Sequence, residues 1–204
     1  MISDQQLLTL TQTAVEQAPY ADPQSQTLIN RCLSGEETAY VALYNMYAGM
    51  IYRVVYSMLM NKEDAEEVLQ DSFEYAFRRL DHYDAHKSAF KTWLYRIAVS
   101  RCRNKRRRKW LPTFSINQMI TKQLEDQETT TPAEAVHLNE TQQMVWDALQ
   151  ELSPKLRETA VLRYYEGLSF VEIGDILDIP TKTAESRMRL AHKALFNLLE
   201  DLVE

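Results

Sequence analysis

The sequence predicts an all-α protein made of two small helical domains joined by a flexible linker. Apolar residues recur at three- and four-residue spacings through most of the chain, and only four glycines and six prolines occur among 204 residues. This periodicity stops between Trp110 and Asn139, a stretch longer than connections inside compact domains usually are. The predicted divisions are a weakly ordered N-terminal extension at 1–24, a first domain at 25–110, a linker at 111–135 and a second domain at 136–204.

Four helices are predicted in the first domain. From the spacing of their apolar residues, these helices are placed at about 26–34, 39–55, 64–80 and 88–109. Gly35 fits a C-cap after the first of them, because glycine adopts the left-handed conformation without a steric penalty. Asp64 is expected to cap the third helix, with Glu67 reaching back as in a capping box.

The fourth helix ends in a basic segment within an acidic protein. Ten Lys and Arg residues lie from Lys87 to Lys109, although the net charge of the chain is −6. The apolar stripe of this helix, at 90–98, stops before the basic run, so we expect the second half to face solvent or a polyanion. Lys/Arg clusters bind nucleic acid by displacing counterions from phosphates. A solvated helix end or a nuclear-localisation-like run is the alternative.

Composition argues against several other classes of protein. No apolar run approaches the roughly 20 residues of a membrane span, and the N-terminus lacks the order of a signal peptide, so we expect a cytoplasmic protein without membrane insertion. Cys32 and Cys102 form no CxxC pair and are expected to be reduced thiols. Phosphate-loop, HExxH and GxSxG motifs do not occur, so no catalytic residue, metal or cofactor is predicted and an enzyme is not expected.

The second domain contains a helix-turn-helix pattern. Ser169 can cap a short helix, Asp178-Ile179-Pro180 can form the turn, and Thr181 can cap a second helix. Gly174 stands where alanine is usual in this motif, and Asp178 where glycine is common. A simple pair of packed helices would give the same spacing, but in DNA-binding proteins the second helix enters the major groove. Its candidate contact residues are Thr181, Lys182, Thr183, Glu185, Ser186, Arg187 and Arg189.

These blocks, in this order, resemble the extracytoplasmic-function (ECF, group 4) sigma factors of bacterial RNA polymerase. The resemblance covers about 26–109, as sigma region 2, and 140–204, as region 4. The sequence segments that carry the resemblance include Ser34-Gly35-Glu36-Glu37, Asp64-Ala65-Glu66-Glu67, Gln70-Asp71-Ser72-Phe73, Phe90 with Trp93-Leu94, Leu162-Arg163-Tyr164-Tyr165 and Gly167-Leu168-Ser169. The resemblance implies a transcription initiation factor that binds core polymerase, recognises the minus-35 and minus-10 promoter elements and promotes DNA melting.

The same resemblance implies roles for three surfaces. The helix at 64–80 would dock on the β′ clamp helices of the polymerase, while region 4 would contact the β flap and read the minus-35 element with its second helix. The implied polymerase contacts are Asp64, Glu67, Gln70, Asp71 and Phe73. The implied contacts to the minus-10 element, through unpaired bases and phosphates, are His82, Tyr83, His86, Lys87, Lys91, Arg96, Ser100, Arg101, Arg103 and Asn104.

Three residues depart from the family pattern, so the resemblance does not determine which promoter sequences the chain would recognise. Ser100 replaces a frequent asparagine, Asn104 a frequent aspartate and Glu185 a frequent basic residue. A stand-alone helix-turn-helix repressor or activator is an alternative, and it predicts tight binding to a palindromic duplex by the protein alone. An interaction protein that mimics sigma surfaces is another, although it would not need the basic helix end. An anti-sigma factor is a further partner that the family resemblance leaves open.

Overall fold

The described part of this computed structural model, residues 20, 22–110 and 140–200, contains eight α-helices and no strand. The helices are α1 (Pro23–Leu33), α2 (Glu37–Leu59), α3 (Lys62–Arg78), α4 (Phe90–Trp110), α5 (Glu140–Glu151), α6 (Pro154–Tyr164), α7 (Phe170–Leu177) and α8 (Thr181–Glu200), with a short 3-10 turn at Leu80–His82. The all-α prediction is confirmed. The predicted linker at 111–135 and most of the extension at 1–24 lie outside the described residues. None of the helices described here has the length and apolarity that a membrane span requires.

Two helices begin earlier than the sequence predicted. Asp22 caps α1 by accepting a 2.8 Å hydrogen bond from the Ser25 N–H, and Pro23 occupies the first helical position, where its missing N–H costs nothing. In α3 the cap is Asn61, whose Oδ1 accepts from the Asp64 N–H at 2.8 Å. The prediction that Asp64 caps α3 is therefore wrong. Its carboxylate lies in the first turn of the helix, where negative charge is favourable.

The first domain packs α1 to α4 around an apolar core, which continues into the second domain through residues such as Leu162 and Ile173. The predicted stripe of α2 is confirmed, since Leu43, Ile51, Val54 and Val55 are completely buried. Full burial of an aliphatic or aromatic side chain contributes about 1.5–3 kcal/mol relative to exposure. Ring contacts add to this core where α2 meets α3, as between Tyr44 and Phe73, whose ring centroids lie 4.7 Å apart.

The second half of α4 does not face solvent along its whole surface, as had been expected. Cys102 is completely buried, and Arg103 and Arg106 both pair with Glu158 of α6. The last turn, 107–109, is exposed. The expectation is wrong for the side of α4 that packs against other helices, because acidic residues distant in sequence compensate the basic side chains there. The helix therefore lies between the rest of the first domain and the second domain.

The helix-turn-helix of the second domain forms where the sequence predicted it, although Thr181 is the first residue of α8 and not its cap. Ser169 caps α7 in a complete capping box: its N–H donates to Glu172 Oε2 at 2.8 Å, and its Oγ accepts from the Glu172 N–H at 3.3 Å. Gly174 and Asp178, which differ from the residues common in this motif, both fit the geometry of the turn. Asp178 adopts a left-handed φ of 55°, which explains why glycine is common there. A Cβ on Gly174 would lie 2.8 Å from the Ile179 carbonyl oxygen, so glycine lets the turn close onto α7.

Because of this close approach, we expect Gly174→Ala to lower the free energy of unfolding by about 1–3 kcal/mol, since the added methyl group must displace backbone. Urea denaturation followed by circular dichroism would measure the change. Asp178→Gly is the matched control in the same turn and should not destabilise, because glycine accepts a positive φ. Equal stability of Gly174→Ala and the unmodified chain would contradict this account of the turn.

Candidate promoter and polymerase interfaces

The 3-10 turn and the loop that follows it present two histidines at the surface. His82 is exposed, and its Nδ1 lies 2.7 Å from Asp81 Oδ1, a hydrogen bond that lowers the pKa of the Asp81 carboxyl. His86 is also exposed. Tyr83 instead turns inward and donates from its hydroxyl to the Ser88 carbonyl oxygen at 3.1 Å. Of the three residues predicted to stack on an unpaired base, the two histidines therefore lie where a base could reach them.

Several candidate DNA contacts on and before α4 are open to solvent. Lys87 and Ser100 are exposed, and Asn104 is half-buried. The guanidinium of Arg101 lies over the Tyr75 ring, 4.7 Å from its centroid, which holds the arginine in a defined position at the surface of the first domain. These side chains can approach a nucleic acid strand without any rearrangement of the helices.

Three further candidates on α4 are partly exposed and are contacted by the second domain. Lys91, Arg96 and Arg103 belong to the predicted minus-10 surface, yet each has a partner in the segment from α6 to α7. The contacts are Lys91 Nζ to Glu166 Oε2 at 3.6 Å, Arg96 Nε to the Asp175 carbonyl oxygen at 2.9 Å, and Arg103 Nη2 to Glu158 Oε2 at 2.8 Å. A cavity of about 470 Å³ lies at this junction, lined by Arg96, Val99, Ser100, Arg103, Asp175, Ile176 and Asp178.

Two acidic side chains of the second domain are buried in these contacts. Glu158 is 2% exposed and bonds to both Arg103 and Arg106. The Glu166 side chain is 4% exposed and accepts a hydrogen bond from the Tyr95 hydroxyl. Burial and this hydrogen bond raise the pKa of Tyr95, so the phenol stays a neutral donor. Sequence reasoning missed both glutamates, although Glu158 lies three and four residues before buried positions and thus on the apolar face of α6.

The predicted polymerase contacts on α3 divide into surface and interior residues. Glu67 and Gln70 are exposed and Asp71 is half-buried. Asp64 is 9% exposed and forms ion pairs with two lysines of α4, whereas Phe73 is 3% exposed and packs in the core. Only the exposed members of the set are available to a partner without rearrangement. Lys105 Nζ lies 2.5 Å from Glu67 Oε2, so a partner would compete with this lysine.

The second helix of the helix-turn-helix presents one polar face. Lys182, Glu185 and Arg189 are exposed, and their spacing of three and four residues places them side by side on α8. Ala184 and Met188 are buried beneath them. The remaining candidates are half-buried: Thr181, Thr183, Ser186 and Arg187.

Comparisons with known proteins find matches for both helical domains. Residues 43–111 match the family model for Sigma-70 region 2, and residues 142–195 match that for Sigma-70, region 4. The chain is 31% identical over 183 residues to the ECF RNA polymerase sigma factor SigW of Bacillus subtilis, covering 85% of this chain and 96% of that protein. It is 31% identical over 186 residues to the ECF RNA polymerase sigma-E factor of Escherichia coli strain K12, covering 87% and 95%.

Two solved structures share the fold. The structure of CnrH in complex with the cytosolic domain of CnrY has a TM-score of 0.62 at 23% identity and covers 87% of this chain and 97% of that one. The sigma factor RpoE in complex with the anti-sigma factor NepR from Bartonella quintana has a TM-score of 0.59 at 21% identity, covering 77% and 94%. From these family models and relatives, the chain belongs to the extracytoplasmic-function (ECF) RNA polymerase sigma factors of the sigma-70 family.

Proposed function

We propose that this chain binds core RNA polymerase and directs it to specific promoters, where it recognises the minus-35 and minus-10 elements and promotes DNA melting. The observation that carries the proposal is the match of one chain to both sigma regions, with a basic helix in the first and a helix-turn-helix in the second. In this proposal catalysis belongs to the polymerase, and the chain contributes recognition and placement of the DNA.

Region 4 (α5–α8) would read the minus-35 element through the polar face of α8. Lys182 and Arg189 supply positive charge for phosphates or guanine edges in the major groove. Glu185 lies between them, where a carboxylate can accept a hydrogen bond from the cytosine amino group. This arrangement supports a promoter preference that differs from that of relatives with a basic residue at the same place.

Region 2 (α1–α4) would capture the minus-10 element as a single strand. His82 and His86 can stack on unpaired bases, since both side chains are exposed in the segment that connects α3 to α4. Lys87 and Arg101 can hold phosphates of the displaced strand, and Ser100 and the half-buried Asn104 lie on the same helix as candidate base contacts. Unstacking a base costs a few kcal/mol, which these contacts must offset.

The exposed part of α3 would dock on the polymerase. We expect Glu67→Ala together with Gln70→Ala to weaken binding to core polymerase about tenfold, because buried polar contacts at an interface contribute roughly 1–2 kcal/mol. Biolayer interferometry with immobilised core polymerase would measure the dissociation constant. Gln24→Ala with Glu37→Ala is the matched control, as it removes the same residue types from exposed sites on α1 and α2. Equal affinities of the two double variants would exclude this face of α3 as the docking surface.

Association with core polymerase followed by run-off transcription on a promoter-fragment library tests the whole proposal. Stable association and promoter-dependent transcripts are expected, and the transcript starts would define both promoter elements. Failure to associate, together with tight binding to duplex DNA by the protein alone, would favour a stand-alone repressor or activator instead.

A further inference from the structure

One exposed apolar side chain lies beside the polar face of α8. Leu190 is 52% exposed, whereas its neighbour Ala191 is completely buried against the rest of region 4. At about 100° per residue, Leu190 is turned by only about 40° from Ser186 and by about 60° from the exposed Lys193. It therefore belongs to the outward side of the helix that is proposed to enter the major groove.

Leu190 has no role in the apolar packing of region 4. On the same helix, Met188 and Ala191 belong to the core cluster of this region, and Leu195 packs against it. Leu190 is absent from both apolar clusters that the described residues form, and it lies on the opposite side of α8 from Leu195. Its removal should therefore leave the fold of region 4 intact.

The chemistry of the major groove limits what such a side chain can contact. The outward side of α8 carries, about one turn apart, Lys182, Ser186, Arg189 and Lys193. These side chains can bond to phosphates or to the polar edges of bases. Leu190 has no polar atom in its side chain and can do neither. The apolar group that a base presents in the major groove is the 5-methyl group of thymine.

We propose that Leu190 is a specificity-determining residue of region 4, which packs on the 5-methyl group of a thymine in the minus-35 element. The inference rests on the proposed function, because it takes α8 to be the helix that reads this element. Nothing in the proposed set of minus-35 contacts supplies an apolar side chain at the outward side of α8, and Leu190 adds one.

The contact discriminates between bases in two ways. A methyl group packed against Leu190 is removed from water together with part of the leucine side chain, and this burial is favourable. At the same place, the amino group of a cytosine would lose its hydration without gaining a hydrogen bond, which is unfavourable. Leu190 therefore favours thymine over cytosine, whereas Glu185 on the same helix can accept a hydrogen bond from cytosine.

The test uses the full chain in complex with core polymerase, on a promoter that run-off transcription from the fragment library has defined. Duplex probes carry deoxyuridine in place of one thymine of the minus-35 element at a time, on either strand, which removes a methyl group and keeps every hydrogen-bonding group. At one thymine we expect about fourfold weaker binding in fluorescence anisotropy, the factor for one buried methyl-sized group. Leu190→Ala should bind the thymine and deoxyuridine probes of that position equally, and Leu190→Met should keep the difference.

Phe196→Ala is the matched control, since it removes an apolar side chain that is 61% exposed on the same helix, about 120° away from Leu190. This variant should distinguish thymine from deoxyuridine as the unmodified chain does. A minus-35 element in which no thymine methyl group affects binding, or a deoxyuridine effect that persists in Leu190→Ala, would overturn the inference. Promoter-dependent transcripts would in both cases still support the proposed function, whereas their absence would refute that function and this inference with it.

Discussion

Replacing Lys91, Arg96 and Arg103 together by alanine is expected to reduce run-off transcription by the complex with core polymerase about a hundredfold, because three contacts of roughly 1 kcal/mol each would be lost in the melted complex. The salt dependence supplies a second readout. For binding to single-stranded DNA, the slope of the log association constant against log salt concentration should be less steep than that of the unmodified chain by about 2, since three phosphates are no longer neutralised.

The control for this variant removes three positive charges elsewhere. Arg31, Arg78 and Lys155 are exposed and do not belong to the proposed DNA surface, so their joint replacement by alanine should change the salt slope far less. Unchanged transcription by the Lys91, Arg96 and Arg103 variant would remove this side of α4 from the promoter interface.

Phe73→Ala is expected to lower the free energy of unfolding by about 3–5 kcal/mol, because it leaves a cavity in the core of region 2. The ring lies between Tyr44 and Phe77, with centroid distances of 4.7 Å and 5.6 Å. Gln70→Ala, on the exposed side of the same helix, should stay within about 0.5 kcal/mol of the unmodified chain. Urea denaturation would measure both.

Phe73→Leu separates a role in the core from a direct polymerase contact. Leucine retains most of the buried apolar volume, so the folded variant should bind core polymerase with unchanged affinity. If Phe73→Leu were stably folded and yet bound polymerase at least tenfold more weakly, the ring would have to be a contact in its own right.

The sequence by itself determined the helices, the helix-turn-helix and the family. Apolar stripes such as that of α2, and the capping box formed by Ser169 and Glu172, depend on residues within a few positions of each other, and such spacings are readable in one dimension. The order of the segments that resemble sigma factors can be recognised along the chain in the same way. For this reason the fold class and the candidate surfaces follow from the sequence alone.

The tertiary structure alone decided which of the candidate residues are available to a partner. Phe73 lies in the core and Tyr83 packs against it. Asp64 pairs with lysines of α4, and Arg103 pairs with Glu158, which lies 55 residues away in sequence. Whether a charged side chain is exposed depends on what packs against it, and periodicity within one helix carries no information on a partner from another domain. Local spacing determines a helix, whereas complementary charge and shape between distant segments determine which of its faces stays free.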